Sequence, residues 1–185
     1  MRKLKLQMQI TADGFVAGPQ GELDWMTWNM DAPLLALINE LTDSSDTILL
    51  GRKMTPGFIT YWESVVEKPD SPEFAFAQKM VRMPKIVFSE TVQRIDGKNI
   101  RVENGDLVPA VNQLKAQAGK DIVVYGGANF VSSLLRHDLI GELNLFVNPV
   151  AIGEGLRVFA TRKTLKLERS AAYACGVVVN TYRRG

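Results

Sequence analysis

Twice in this sequence an apolar, strand-like run stops at glycine and gives way to a helical pattern. Thr47 to Leu50 runs into Gly51-Arg52-Lys53, and Asp121 to Tyr125 runs into Gly126-Gly127, followed by Ala128 to Arg136. Glycine lets another backbone or a ligand come close, and the free N–H groups of a first helical turn attract anions. Two such ends side by side can hold one diphosphate, although each alone is also what a tight turn requires. Arg52 and Lys53 stand where cations oppose a helix dipole instead of complementing it. A bound phosphate would relieve that placement, and arginine offers it a planar fork; the alternative is a solvated surface pair. Neither turn carries G-x-G-x-x-G or G-x-x-x-x-G-K-[ST], so the common dinucleotide and nucleoside-triphosphate motifs are absent.

Other candidate groups are few. Asp13, Asp24 and Asp31 line or end a long segment after the first strand and could serve as acids, as loop carboxylates often could. His137 ends a helical pattern, where its cation suits the last carbonyls, and Cys175 lies in a strand-like stretch as a small core residue. With one histidine and one cysteine there is no metal-ligand cluster and no Cys-His nucleophile pair, so no metal centre is expected.

The elements that must position these groups alternate. Lys3 to Ala12 places Leu4, Leu6, Met8, Ile10 and Ala12 on one strand face and Lys3, Lys5, Gln7, Gln9 and Thr11 on the other. Asp13 to Ala32 reads as a long loop carrying Gly14, Gly18, Pro19 and Gly21 with Trp25, Trp28 and Asn29. Pro33 suits a first helical turn with Asp31 as its N-terminal carboxylate, and Leu34, Leu37, Ile38 and Leu41 follow at helical spacing. Pro56 and Gly57 limit any helix there to short pieces. A helix from about Ser71 to Met80, a strand over Lys85 to Ser89 and a helix from Asp106 to a stop at Gly119 come next. Glu142 to Val150, Thr164 to Ala174 and Gly176 to Arg183 are strand-like, the last two forming an antiparallel hairpin. Alternating strands and helices predict an α/β fold with a mostly parallel central sheet, helices on both faces and antiparallel strands at one edge. The polar face of the first strand is unusual for a covered strand and would suit a cofactor, a substrate or a second subunit.

The chain has 185 residues, 46% apolar and 23% charged, enough for one domain over 1–185 with a full core. Its 22 basic and 20 acidic side chains leave a formal +2, too little to argue for a nucleic-acid or membrane partner. A single cysteine, no secretory segment and no apolar run near membrane-span length point to a cytoplasmic protein.

Taken in order, Thr11 to Gly18 (TADGFVAG), Ile48 to Lys53 (ILLGRK), Lys85 to Ser89 (KIVFS), Val124 to Gly127 (VYGG) and Leu143 through Pro149 to Gly155 resemble the dihydrofolate reductase superfamily. The resemblance includes the reductase domain at the C-terminal end of the bacterial bifunctional riboflavin-biosynthesis deaminase-reductase and covers nearly the whole chain. It implies a dihydrofolate reductase-like three-layer fold. It also implies that Gly51, Arg52 and Lys53 lie at the adenosine phosphate and pyrophosphate of NADPH, with Ser89 at the same end. Gly126, Gly127, Ala128 and Asn129 would form the second phosphate turn, with a cis peptide between the glycines, and Ala12, Val16 and Ala17 would border the nicotinamide.

The pattern also departs from the superfamily. Met54 stands where dihydrofolate reductases carry a phosphate-contacting threonine, and Glu90 follows Ser89 where a small or basic residue suits a 2'-phosphate. Trp28-Asn29 is similar to the Trp-Asn before the acid of those enzymes, but the acid's place falls on Pro33 and the nearest carboxylate is Asp31. A lysine and a glutamate of the riboflavin enzyme align with Gln7 and Tyr125. The resemblance therefore implies a stand-alone NADPH-dependent reductase passing hydride to a small planar heterocyclic or carbonyl substrate, with Asp31 or Asp13 as acid, Trp25 or Trp28 walling the pocket, and a homodimer. Alternatives are a riboflavin-pathway 5-amino-6-(5-phosphoribosylamino)uracil reductase and a non-catalytic NADP-binding protein.

Overall fold

A computed structural model describes residues 1–185. In chain order the elements are β1 (Leu4–Thr11), α1 (Ala32–Asp43), β2 (Ser45–Gly51), α2 (Thr55–Val66), α3 (Phe74–Arg82), β3 (Lys85–Phe88) and β4 (Ile100–Glu103). They continue with α4 (Leu107–Ala116), β5 (Asp121–Gly126), α5 (Ala128–Arg136), β6 (Glu142–Asn148), β7 (Leu165–Ala172) and β8 (Val178–Arg184). One eight-stranded sheet runs β4-β3-β2-β5-β1-β6-β8-β7. Its first six strands are parallel, and β8 pairs antiparallel with both β6 and β7. This is the expected three-layer, mostly parallel sheet with a terminal antiparallel hairpin.

Strand alternation decides which helix covers which face. Leu4, Leu6, Met8 and Ile10 of β1 join Ile122, Val124, Leu143 and Leu145 in a core packed on Val111 and Leu114 of α4 and Val131 and Leu134 of α5. The opposite face carries α1 through Leu34 and Leu37 on Phe146 and Val179. Next to it, α2 and α3 lie over Ile48, Leu50, Val87 and Val123. The polar side chains of β1 are covered by the chain itself: Lys5 is 9% exposed, Gln7 6% and Thr11 1%. Most find partners within the fold. Lys5 Nζ lies 2.9 Å from Asp121 Oδ2 and 3.0 Å from Ser44 Oγ, and Gln9 pairs with Asn148. The polar face therefore gives no argument for a second subunit, because mutual hydrogen bonding makes its burial tolerable.

Two elements differ from expectation. Residues 55–66 form one twelve-residue helix, since Pro56 falls in the first turn, where no N–H is needed. Its apolar residues Ile59 and Val65 are buried, which offsets the weak propensity of Gly57. The edge strand β4 extends the sheet beyond β3, where the sequence offers only four residues of alternation.

Candidate active site

β2 and β5 are neighbours, and their C-terminal ends meet where Leu50 pairs with Gly126. The two glycine turns consequently lie against each other. A Cβ at Gly51 would come 2.8 Å from Phe130 Cβ and 3.1 Å from the Gly127 amide nitrogen, so only glycine lets β2 end this close to the start of α5. The Gly126-Gly127 peptide is cis, as the resemblance implies, and Gly126 has φ +155°. Gly127 begins α5 in an extended conformation with no side-chain cap, which leaves the first-turn N–H groups, those of Ala128 and Asn129 among them, for water or an anion. Arg52 and Lys53 are exposed in the turn between β2 and α2, and neither pairs with a carboxylate.

Two neighbours are used differently from what their positions suggest. Met54 packs with Ile48, Leu50 and Val87, and a Cβ at Gly126 would lie 2.7 Å from its Sδ. Fully buried Thr55 donates its hydroxyl to the Gly51 carbonyl at 3.0 Å and so holds the turn closed. Ser89 follows the end of β3, the strand beside β2, where Gly51 pairs with Phe88. Its Oγ accepts the amides of Val92 at 3.0 Å and Thr91 at 3.3 Å, which turns the chain and leaves the hydroxyl hydrogen free. Ser89, Gly51 and Gly127 thus stand at the ends of three adjacent strands.

The segment after β1 reaches the same edge of the sheet. Ala12 donates its amide to Val150 at 2.8 Å, and Val16 and Ala17 exchange two 2.9 Å bonds with Leu156. Gly155 is required there: a Cβ would sit 2.2 Å from the Ala17 carbonyl, at φ +155°. Ala12 is exposed while Val16 and Ala17 are buried.

Both candidate acids are engaged. Asp13 accepts the Thr11 hydroxyl at 2.6 Å and the amides of Gly153 at 2.8 Å and Ile152 at 3.1 Å. The Thr11 hydroxyl, then these amides, hold its carboxyl below the ordinary value. Asp31 caps α1 by accepting the Leu34 amide at 2.9 Å and ties the helix to the terminal hairpin through the Cys175 amide at 3.0 Å. The Leu34 bond first, and that from Cys175 after it, likewise lower its pKa. Each carboxylate is therefore held ionised, as a loop clip and a helix cap, and neither is poised to release a proton at neutral pH. Asp24 is exposed. Trp25 is half-buried with Nε1 donating to the Glu22 carbonyl at 3.2 Å, and Trp28 is 61% exposed.

Sequence reasoning passed over Asn148, which is fully buried at the end of β6 and binds both the loop amide of Thr27 and the side chain of Gln9. Its signal is a carboxamide closing an otherwise largely apolar strand. A cavity of about 510 Å³ lies elsewhere, near the starts of β3 and β4, lined by Lys85, Asn99, Arg101 and Gln117 among others. No three His, Cys, Asp or Glu side chains are grouped to hold a metal, and no helix is long and apolar enough to cross a membrane.

A parallel sheet whose helices switch faces between β2 and β5, with glycine turns meeting at that crevice, defines a dihydrofolate reductase-like α/β protein. The chain belongs to the RibD C-terminal domain family, whose model matches residues 2–179. It is 33% identical to the uncharacterized protein YyaP of Bacillus subtilis over 98% of this chain and 94% of that one. It is 27% identical to the uncharacterized protein YwjB of the same organism over 85% and 83%. Among solved structures it resembles a protein provisionally assigned to riboflavin biosynthesis from Shewanella sp. PV-4, with TM-score 0.70, 21% identity and coverage of 100% and 99%. It also resembles the diaminohydroxyphosphoribosylaminopyrimidine deaminase/5-amino-6-(5-phosphoribosylamino)uracil reductase of Thermotoga maritima, with TM-score 0.67 and 16% identity. That match covers all of this chain and 57% of the bifunctional protein.

Proposed function

We propose that this protein is a single-domain, cytoplasmic, homodimeric reductase that uses NADPH to reduce a small planar heterocyclic or carbonyl substrate. The observation that carries the reading is the contact between the two glycine turns, where a Cβ at Gly51 would come 3.1 Å from the Gly127 amide nitrogen and is excluded by Phe130 Cβ at 2.8 Å. A diphosphate fits such a cradle. Gly51, Gly126, Gly127, Ala128 and Asn129 would supply backbone approach and N–H groups, Arg52 and Lys53 charge, and Ser89 a hydroxyl at the adenosine end. The nicotinamide would lie by Ala12, Val16 and Ala17. When bound, it supplies the hydride, and the chain's tasks are placement and exclusion of water. Trp25 and Trp28 lie on the loop suited to the second task.

Because Asp13 is held as an anion by the Thr11 hydroxyl and backbone amides, and Asp31 by backbone amides, the proton comes from water or from the substrate's own surroundings. Asp31→Asn keeps a good helix cap and removes the acid. Its turnover is expected to stay near that of wild type, whereas Asp31→Ala loses thermal stability and turnover together; loss of turnover in a stable Asp31→Asn protein would return Asp31 to the role of acid.

The 5-amino-6-(5-phosphoribosylamino)uracil reductase reading draws on the activity named for the Thermotoga maritima protein. The riboflavin enzyme's two charged positions are here Gln7 and Tyr125, and turnover of that substrate decides the matter. The test of the whole reading is fluorescence titration with NADPH and NADH, then NADPH oxidation with pterins, pyrimidines and simple carbonyl compounds. Saturable NADPH binding with oxidation is expected. Tight binding without oxidation would make the protein a non-catalytic NADP binder, and no binding would sink the proposal.

A further inference from the structure

Asn148 is 0% exposed, and two backbone groups fix which end of its carboxamide is oxygen. The Thr27 amide can only donate and lies 2.9 Å from Oδ1; the Phe146 carbonyl can only accept and lies 3.1 Å from Nδ2. The remaining Nδ2 hydrogen points to Gln9 at 2.8 Å, so the Gln9 atom there must be Oε1. Gln9 is only half-buried, and its Nε2 is turned away from Asn148 with no partner in the chain. Deeper on the same strand face, Gln7 Nε2 is a buried donor that also lacks a partner. Such groups call for an explanation in a packed interior. Between Gly18 and Met30, the Thr27 bond to Asn148 is the one hydrogen bond that ties the loop to a residue outside it. The side chain that sets Gln9's polarity therefore also holds the Trp25–Trp28 loop over this end of the sheet.

We propose that Gln9 is the donor that orients the substrate, kept NH₂-outward by Asn148 as a positioning residue, and that the substrate presents an uncharged carbonyl oxygen or ring nitrogen to it. This rests on the reductase reading, since Gln9 lies two residues before the end of the strand that leads to the nicotinamide segment. The rest of this face agrees with an uncharged acceptor. The Asp13 oxygens are taken by the Thr11 hydroxyl and backbone amides, those of Asp31 by backbone amides, and the Lys5 ammonium is spent on Asp121. The charged groups nearest Gln9 on this strand face are thus engaged within the fold, while the Gln9 amide donor awaits an acceptor.

The test is calorimetric titration of NADP⁺-loaded protein with quinazolinone and with menadione, two planar, uncharged probes carrying carbonyl acceptors. Wild type is expected to bind at least one. Gln9→Leu and Gln9→Glu should each weaken that binding about 10-fold, the loss of one hydrogen bond to a donor fixed in place, with NADPH affinity changed less than about 2-fold. Gln9→Glu is the decisive variant, because it still accepts from Asn148 but presents oxygen where the NH₂ stood. Asn148→Asp should act alike with Gln9 intact, since Asp accepts from Thr27, cannot donate to Gln9 and draws the Gln9 NH₂ inward. Probe binding by Gln9→Glu equal to wild type would show that Gln9 merely supports Asn148 and overturn the proposal. Failure of both probes to bind an NADP⁺-loaded wild-type protein would overturn the substrate class while leaving the reductase reading intact. Failure to bind NADPH at all would defeat that reading first, and this inference with it.

Discussion

Arg52→Ala is expected to weaken NADPH binding by roughly 10-fold to 150-fold, the usual worth of a charge-assisted hydrogen bond to phosphate. Arg52 is exposed, lacks a carboxylate partner and stands just before α2, whose N-terminal dipole disfavours a cation. Removing the guanidinium therefore takes nothing from the fold and leaves the protein as stable as before. The expected loss should shrink as salt is raised, because an exposed charge is screened over a Debye length. Fluorescence titration of wild type and variant with both cofactors also locates the contact. If Arg52 meets a 2'-phosphate, NADPH binding falls to the level of NADH; if it meets the diphosphate, both weaken alike. Unchanged NADPH binding would remove Arg52 from the site.

Those residues were legible because backbone chemistry writes itself into sequence. A strand that must end against another backbone needs glycine, so Gly51 and Gly126-Gly127 mark the turns, and pairing β2 with β5 makes them neighbours. The apolar stripe of β1 was legible for the same reason: Leu4, Leu6, Met8 and Ile10 line one core. Less legible are side chains whose partners lie far away in sequence. Asp13 reads as a candidate acid, and of its donors the Thr11 hydroxyl is local whereas the amides of Ile152 and Gly153 lie some 140 positions on. Asp31 was visible as a helix cap, but the Cys175 amide that completes its coordination was not. The polar face of β1 suggested an external cover for a similar reason, because Ser44, Asp121 and Asn148 that satisfy it belong to other elements. The helix over residues 55–66 was missed because Pro56 and Gly57 are breakers by type, and only position in the first turn makes proline harmless.

A buried lysine at the other end of the sheet should govern how stability depends on pH. Lys85 is 3% exposed and donates to the carbonyls of Met83 at 2.7 Å and Val81 at 3.0 Å at the end of α3. Burial pushes its ammonium down from 10.5 to about 8, against a weaker opposing pull from Glu63. Between those values the unfolded chain holds a proton that the native protein has lost, so stability rises with pH from about 8 to 10.5; below about 8 the full cost of the buried charge is present. That interval corresponds to at most about 3 kcal/mol, and the two carbonyls that accept from the ammonium bring it to the order of 1–2 kcal/mol. Tyr125 acts in the opposite sense: burial raises its phenol to about 12, so its contribution is complete below pH 10 and lost as pH climbs towards 12, and half-exposed Tyr61, whose hydroxyl donates to Glu73, adds a smaller, solvent-screened contribution of the same sign. Denaturant unfolding of wild type is thus expected to show a maximum near pH 10. In Lys85→Met the rise disappears while the fall above pH 10 remains, and subtracting the two curves isolates the lysine. The thioether side chain would still fill the space, and Asn99 Nδ2 continues to bind the carbonyls of Val81 and Arg82, so only Met83 is left with a lost donor. At pH 7 the variant should therefore match or exceed wild type by about 1 kcal/mol, as replacing a buried charge with a hydrophobe of similar volume commonly does. A variant destabilised by more than about 1 kcal/mol at pH 7, with the wild-type slope between pH 8 and 10, would mean that the ammonium is solvated and that its bonds to α3 outweigh its burial.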